Sequence, residues 1–412
     1  MKLLHTSDWH LGKIFYGYKF DEVFPKFIEW LKKIIDEENI EVLLIAGDIF
    51  QRTQPSNSTL KLYYESLTGL YKHGLKKIII IGGNHDNPST LSAPEAILKL
   101  ISVEVIGKID FMQDKQLIDS NKHLIAYPEK NPEVIFAAVP YPRERELKMH
   151  IQENDYESRK KALQEKIAQI YIQLLEKAQI YEGLPLIALG HFFIKKNYST
   201  STEYDYEDEA YVGSLTDVPA DILPKEYDYW AMGHIHKPFK IIPNKIHYSG
   251  SPLPYGFPET TYKKKVFIID TNYKPLKIKE ITIPDFIEMK IFSGSFEEIT
   301  AELDNFYPHS QNKTLIYLSV NEKKNIPFLE KNIEQTLEKV KKRWNEQIEI
   351  LGYKYSIEEL DIAIYRDTEQ MKQATPKDIF KRLLEHYNME SEPYMSMFEE
   401  IYREVQQENI ND

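Results

Sequence analysis

Residues 41–48, EVLLIAGD, and 77–86, KIIIIGGNHD, decide the fold. Each is a short aliphatic run that stops at glycine and is followed at once by a side chain with a metal-donor atom. An apolar run of that length, closed by a turn signal, reads as a strand buried on both faces. Between the two, Leu60–Tyr71 reads as a helix, so the chain runs strand, polar box, helix, strand, polar box, which is a βαβ alternation. The pattern extends toward the N-terminus. Residues 2–6 read as a strand delivering DWHLG, and Phe20, Val23, Phe24, Phe27, Ile28, Leu31, Ile34 and Ile35 recur at helical spacing behind it. Ligands of α/β sheets gather beyond the carboxyl ends of the strands, which is where each box falls.

Outward to the C-terminal side, Tyr156–Tyr181 reads as a long charged helix and Leu184–Leu189 as a strand leading to His191 in LGHFF. Residues 195–210, rich in Tyr, Ser and acids, read as an exposed loop. Tyr229–Met232 leads into GHIH, and Ile246–Tyr248 into SGSPLPYGF. After the strand Lys265–Asp270 and the pairing-competent stretch Leu276–Ile283, the character changes near 281–284. A helix around Phe296–Phe306, a strand Thr314–Val320, a helix Pro327–Trp344 and a strand Gln347–Tyr353 describe a small α+β domain. From residue 375 the chain reads as helical again, with Thr375 as N-cap, Pro376 at the first helical position and Asp378 in the first turn. Ile379, Phe380, Leu383, Leu384 and Tyr387 line one face there. Met397, Phe398, Ile401, Tyr402 and Val405 form a second stripe. The expected domains are 1–280, 281–365 and a C-terminal helical segment 366–412.

Composition sets the outer bounds. The 412 residues exceed one typical domain. A net charge of −12 argues against a broad basic surface coating nucleic acid, because non-specific affinity comes mainly from Lys and Arg neutralising phosphates. The absence of cysteine excludes disulfides, thiolate zinc sites and cysteine nucleophiles, and fits a reducing cytoplasm. No apolar run approaches the roughly 20 residues needed to span a bilayer, and the N-terminus lacks the apolar core of a signal peptide.

Seven candidate metal ligands fall in these boxes: Asp8, His10, Asp48, Asn84, His191, His234 and His236. Asp8-x-His10 reads as two side chains on the same side of an extended strand end, able to reach one ion. Each box alone is a weak signal, since Gly-Asp and Asn-His occur in ordinary turns. Their joint occurrence at strand ends points to a pair of divalent ions, roughly 3.5–4 Å apart, clamping the oxygens of an in-line phosphoryl displacement. The glycines before Asp48, Asn84, His191 and His234 are expected to turn the chain sharply and bring backbone close to a bound phosphate.

The order D-x-H, GD, GNH, GH, GH-x-H resembles the calcineurin-like metallophosphoesterase superfamily across residues 1 to about 280. SDWHLGK, GGNHDNPS, YDYWAMGHIHKP and HYSGSPLPYGFPE look like the SbcD family, the nuclease subunit paired with the SbcC coiled-coil ATPase. The resemblance implies an α/β fold, a β-sandwich flanked by helices, with a capping domain and a C-terminal segment that binds the base of the coiled coil. It implies one ion on Asp8, His10, Asp48 and His236 and a second on Asp48, Asn84, His191 and His234, with Asp48 bridging. Manganese is the family expectation, magnesium a possibility, and the donor set alone does not exclude zinc or iron.

His85 is the expected catalytic residue, an imidazole suited to protonate a leaving alkoxide; the alternative is that it orients Asn84 or a phosphate. Asp86 reads either as an acceptor for His85 or as a cap of the NPS turn. Arg52 reads as solvated. His5, His73, His123, His150, His247, His309 and His386 read as surface or packing residues. Ser249 and Ser251 would offer hydroxyls in a wall of the site.

The function expected is a two-metal DNA exonuclease and endonuclease acting on duplex ends and hairpins in repair and recombination. It would work with an SbcC-type ATPase as a homodimer within a heterotetramer, in the cytoplasm and away from membranes. The alternatives are a phosphoesterase of nucleotides or small phosphodiesters, because the same metals hydrolyse many esters, and a DNA-end-binding scaffold with vestigial ligands.

Overall fold

The computed structural model describes residues 1–112, 117–147, 156–196, 217–308, 312–324, 326–357, 375–386 and 391–408. Most of the 195–210 loop, together with His150 and His309, lies outside the described residues. The chain divides into two compact units. The first comprises Met1–Ile291, Tyr307–Tyr317 and Trp344–Gly352; the second comprises Phe292–Phe306, Leu318–Arg343 and the residues from Tyr353 on.

The first unit is built on two six-stranded sheets. One runs in the order Lys277–Thr282, Lys265–Asp270, Lys2–Thr6, Val42–Ala46, Lys77–Ile81, Val103–Ile106, and its last four strands are parallel. The other runs Phe239–Ile242, Ile246–Tyr248, Tyr229–Gly233, Leu186–His191, Val134–Ala138, Leu124–Tyr127 with a parallel centre. Period-two alternation explains why the runs are apolar throughout. Leu3, Val42, Leu44, Ile79 and Ile81 of the first sheet share one core with Phe136, Ile187, Leu189, Tyr229 and Ala231 of the second. Leu4, Leu43, Ile45, Ile78 and Ile80 point the other way, into a core built with Phe24–Glu38 and Asn57–Tyr71. Ala188, Trp230 and Met232 face a third core under the helix Tyr156–Ala178. This is the expected α/β sandwich flanked by helices.

The strands Val103–Ile106, Leu124–Tyr127 and Val134–Ala138 fall in a stretch that reads as irregular in the sequence. They are four or five residues long; glycine closes only the first, at Gly107, and there Glu104 interrupts the apolar run. Beyond residue 280, Glu288–Gly294 is a further strand that the sequence reading passes over, its apolar alternation broken by exposed Ile291. It joins Thr314–Glu322 and Ile348–Ile357 in a three-stranded sheet with Thr314–Glu322 in the middle. In the second unit, Phe296–Asp304 begins with a Ser295/Glu298 capping box, and Arg343 donates to the Asp304 carbonyl at its end. The C-terminal helices are Pro376–His386 and Ser391–Glu408.

Three histidines expected to be surface or packing residues, His5, His123 and His247, are fully buried in the first unit. His5 projects between the sheets, with its ring nitrogens 3.0 Å from the Tyr229 hydroxyl and 3.2 Å from the Met232 carbonyl. The carbonyl can only accept, so Nε2 carries the proton and Nδ1 takes the Tyr229 O–H, which satisfies the neutral ring. Neither ring nitrogen of His247 has a partner among the described residues. Burial, then the neighbouring His247, lowers His5 to about 3. Burial, then Lys240, lowers His247 to about 4.

Both folded pKa values lie below the unfolded value of 6.5. The stability these neutral rings contribute is therefore complete above pH 6.5 and is lost as pH falls toward about 3 to 4, by up to about 1.4 kcal/mol per pH unit for each group. Urea unfolding should show a lower midpoint at about pH 5.5 than at about pH 7, and the difference should shrink in His5→Gln and His247→Leu. An unchanged pH dependence in both variants would refute this.

Candidate metal centre

Strand register brings the boxes to one edge. Leu3 to Thr6 pair with Val42 to Ile45, Val42 to Ala46 with Lys77 to Ile81, and Gly233 sits opposite His191. Past the strand ends the first two loops stay side by side, with Asp8 N donating to Gly47 O and His10 N to Asp48 O, both at 3.0 Å. The D-x-H pair is not extended as expected. The strand stops at Thr6, and Asp8 and His10 have φ of 51° and 45°. Asp48 (φ 51°) and His234 (φ 93°) also lie at positive φ. Left-handed backbone is uncommon outside glycine, is tolerated best by Asn, Asp and His, and costs on the order of 1–3 kcal/mol each. Four of the seven ligand positions carry that strain because it turns their side chains into a common space.

All seven candidate ligands meet there. His10 Nε2 is 2.9 Å from His236 Nε2 and 3.5 Å from Asp48 Oδ2, which is itself 3.3 Å from His191 Nε2. Asn84 Oδ1 is 3.1 Å from His191 Nε2 and 3.0 Å from His234 Nδ1. Donor atoms of Asp8, His10 and His236 lie within 4.8 Å of one another, as do those of Asp8, Asp48 and His191. Asp8 thus stands with both groups, and Asp48 is close to imidazoles on either side. The donor set fits divalent cations. Two imidazole nitrogens face each other at a distance where at most one can donate, His10 Nδ1 is buried without a partner among the described residues, and the donors are carboxylate, imidazole and amide.

Burial and neighbouring charge pull the protonation states apart. Burial raises the Asp8 carboxyl, and it lowers His10 well below its ordinary value and His234 to about 3. For His191 burial acts in the same sense, but the Asp48 and Asp8 carboxylates outweigh it and hold the imidazole at about 9. Burial likewise opposes the Asp48 carboxylate, yet His191 and His10 keep it far below the usual carboxylate range.

The supporting residues include several that sequence reading missed or misassigned. Asp86 neither touches the His85 ring nor caps the next turn. Its carboxylate accepts from Gly83 N, Ile49 N and Phe50 N at 2.8–3.1 Å, tying the GD and GNHD loops together, while Asn87 caps the turn. His85 instead donates its backbone N–H to Asp48 Oδ1 at 2.9 Å, and its Nδ1 lies 3.1 Å from the Gln51 carbonyl. Because that carbonyl can only accept, the proton of the neutral ring sits on Nδ1 and Nε2 keeps its lone pair. Arg143 donates to the carbonyls of Gly83 and Asp86, each at 2.6 Å, clamping the loop that carries Asn84 and His85. Nothing local in PYPRERE marks it for that role. Ser249 and Ser251 do not offer hydroxyls outward. Ser249 shares a 2.7 Å hydrogen bond with Ser7, which donates to Asp8, and Ser251 donates to the Leu253 carbonyl. Arg52 is exposed, as expected.

The glycines before the ligands answer mainly to crowding. Among those four only Gly47 has a positive φ. A Cβ at Gly83 would stand 2.1 Å from Asp48 Oδ1 and 2.2 Å from Asp48 N. Gly83→Ala should therefore displace Asp48, cost about 1–3 kcal/mol from overpacking and sharply reduce the divalent metal retained after loading, measured by elemental analysis. Gly256→Ala, where the nearest contact is 3.8 Å, should leave metal content unchanged; equal loading of Gly83→Ala and wild type would refute the crowding argument.

Comparison with known proteins follows this geometry. Residues 1–238 match the family profile described as calcineurin-like phosphoesterase. The chain is 31% identical over 285 residues to the SbcD subunit of the SbcCD nuclease of Bacillus subtilis (strain 168), and 29% identical over 276 residues to that of Rhodobacter capsulatus, with 66% of each chain covered in both cases. It is 27% identical over 317 residues to the SbcD subunit of the same nuclease in Escherichia coli (strain K12), covering 76% of this chain and 75% of that one. The matched stretch thus spans about two thirds to three quarters of the length of these relatives. Every one of the seven converging candidate ligands lies within residues 1–238, so the profile covers the whole candidate centre and more than half of the 412 residues: the chain belongs to the calcineurin-like phosphoesterase family and is a homologue, within it, of the SbcD nuclease subunits.

Proposed function

We propose that this chain is the nuclease subunit of an SbcCD-type complex, hydrolysing phosphodiester bonds of DNA at duplex ends and hairpins in repair and recombination. The observation that carries this reading is the convergence of seven donor side chains from both sheets on one edge, in a chain whose curated relatives are SbcD nuclease subunits. Two divalent cations, manganese by family expectation and otherwise magnesium, would supply charge stabilisation to the phosphoryl oxygens and lower the pKa of an attacking water. Asp8, His10, Asp48 and His236 would hold one, and Asp48, Asn84, His191 and His234 the other.

His85 acts as the general acid of this reading. Its backbone N–H is fixed on Asp48 and its Nδ1–H on the Gln51 carbonyl, so the ring has a set orientation and its free Nε2 is the atom that, once protonated to the imidazolium, passes that proton to a leaving oxygen. Residues 281–365 serve as the capping domain that selects DNA ends, and residues 366–412 as the segment that docks the ATPase, with two nuclease subunits in a heterotetramer in the cytoplasm. In the C-terminal helices Phe380 stacks on Phe398 and Phe398 on Tyr402, while Met397 and Ile401 stand 59% and 54% exposed. Those two side chains are the partner-facing part of the second stripe. Among the described residues no helix is long and apolar enough to cross a membrane.

End-labelled linear duplex DNA should be degraded by the purified chain in manganese, and His85→Ala should slow this by about 100-fold or more with both ions retained. Failure of the metal-loaded wild type to cut DNA, with and without an SbcC-type ATPase, while it cleaves bis(p-nitrophenyl) phosphate would turn the reading toward small phosphodiesters. Met397→Glu with Ile401→Glu should abolish co-purification with the ATPase and leave manganese-dependent cleavage by the isolated chain unchanged.

A further inference from the structure

The outer nitrogen of His236 is held differently from those of His191 and His10. His236 Nδ1 lies 2.8 Å from Glu259 Oε1, whereas His191 Nδ1 meets a backbone carbonyl, that of Ala46, at 2.7 Å and His10 Nδ1 has no partner among the described residues. Glu259 is itself immobilised. Its Oε2 accepts from Lys264 Nζ at 2.5 Å and Tyr255 N at 3.3 Å, with Ser251 Oγ, whose one proton also faces the Leu253 carbonyl, at 3.1 Å. Lys264 is only 5% exposed and also donates to Ser251 Oγ at 2.7 Å and to the His236 carbonyl at 3.2 Å. With Oε2 held by the Lys264 ammonium and the Tyr255 N–H, Glu259 is kept from swinging in to become a ligand, and Oε1 is left for one imidazole.

We infer that Glu259, locked by Lys264, is a positioning residue that fixes the tautomer and strengthens the donor Nε2 of His236, so that the cation on the His10–His236 side binds tighter than the one on the His191–His234 side. The physical basis is a carboxylate hydrogen-bonded to the far nitrogen of a ligating imidazole. It leaves the near nitrogen with its lone pair facing the ion and raises its basicity, and loss of such a partner typically costs 10- to 100-fold in metal affinity. The buried ammonium of Lys264 offsets the carboxylate charge in a place where an unpaired charge would be expensive. This rests on the reading of Asp8, His10 and His236 as ligands of one ion.

The test is titration of the metal-free full chain with manganese alone, following free ion by electron paramagnetic resonance and stoichiometry by elemental analysis. Wild type should bind two ions with separable affinities. Glu259→Gln is nearly isosteric and keeps an acceptor for Nδ1–H, and it should weaken the tighter site about 10-fold while the weaker stays within about threefold; Glu259→Ala should approach 100-fold. Lys264→Met should also weaken the tighter site. Glu259→Gln leaves the buried Lys264 ammonium unpaired and should lower the thermal midpoint of the metal-free chain, so the double variant Glu259→Gln with Lys264→Met, which removes both charges, separates this from a structural role: it should unfold near wild type and still weaken the tighter site about 10-fold. Equal weakening of both ions, unchanged affinities, or selective loss of the weaker ion would overturn the inference. A wild type that binds no manganese would instead overturn the ligand reading beneath it.

Discussion

The metal centre depends on one carboxylate being reached from several turns at once. Asp48 Oδ1 takes the backbone N–H of His85, Oδ2 faces the rings of His10 and His191, and the Asp48 carbonyl accepts from His10 N. These contacts come from three segments, around His10, His85 and His191, and each is delivered by a strand whose parallel register sets where it ends. A shift of one residue would move an alternate set of side chains to the other face, emptying the inter-sheet core and misplacing the ligands together. Burial of Val42, Leu44, Ile79 and Ile81 thus holds the geometry of a polar site.

Three of the ligands come from the second sheet, so the layers must meet closely at this edge. Small residues allow it. Ala46, Ala138 and Ala231 lie in the shared core, and a Cβ at Gly233 would fall 1.9 Å from the Ala46 carbonyl. The same closeness gives His191 Nδ1 its carbonyl partner on Ala46 and lets His5 reach the Tyr229 hydroxyl. Polar ties between the layers stand beside the packed surface because buried donors and acceptors must find partners. Asp86 and Arg143 apply the same rule to the loops, binding backbone groups that a turn would otherwise leave to water.

Local sequence was enough to find the strands Val42–Ala46 and Lys77–Ile81, the helices flanking them and the residues that carry donor atoms, because apolar runs closed by glycine and amphipathic repeats are local signals. The short strands Val103–Ile106 and Glu288–Gly294 gave no comparable signal although Gly107 and Gly294 close them, because Glu104 and Lys290 interrupt their apolar runs. What Asp86, Arg143, Glu259 and Lys264 do was not legible either, since each acts on groups brought near by folding, such as Asp86 on Ile49 and Phe50 or Lys264 on the His236 carbonyl. The sequence by itself determined the chemical class of the site, through seven oxygen and nitrogen donors in ordered boxes and no thiolate. Only the tertiary structure decided how those donors are aimed. Aim depends on left-handed backbone at Asp8, His10, Asp48 and His234, on strand register and on inter-sheet distance, and these are set by contacts between residues far apart in the chain.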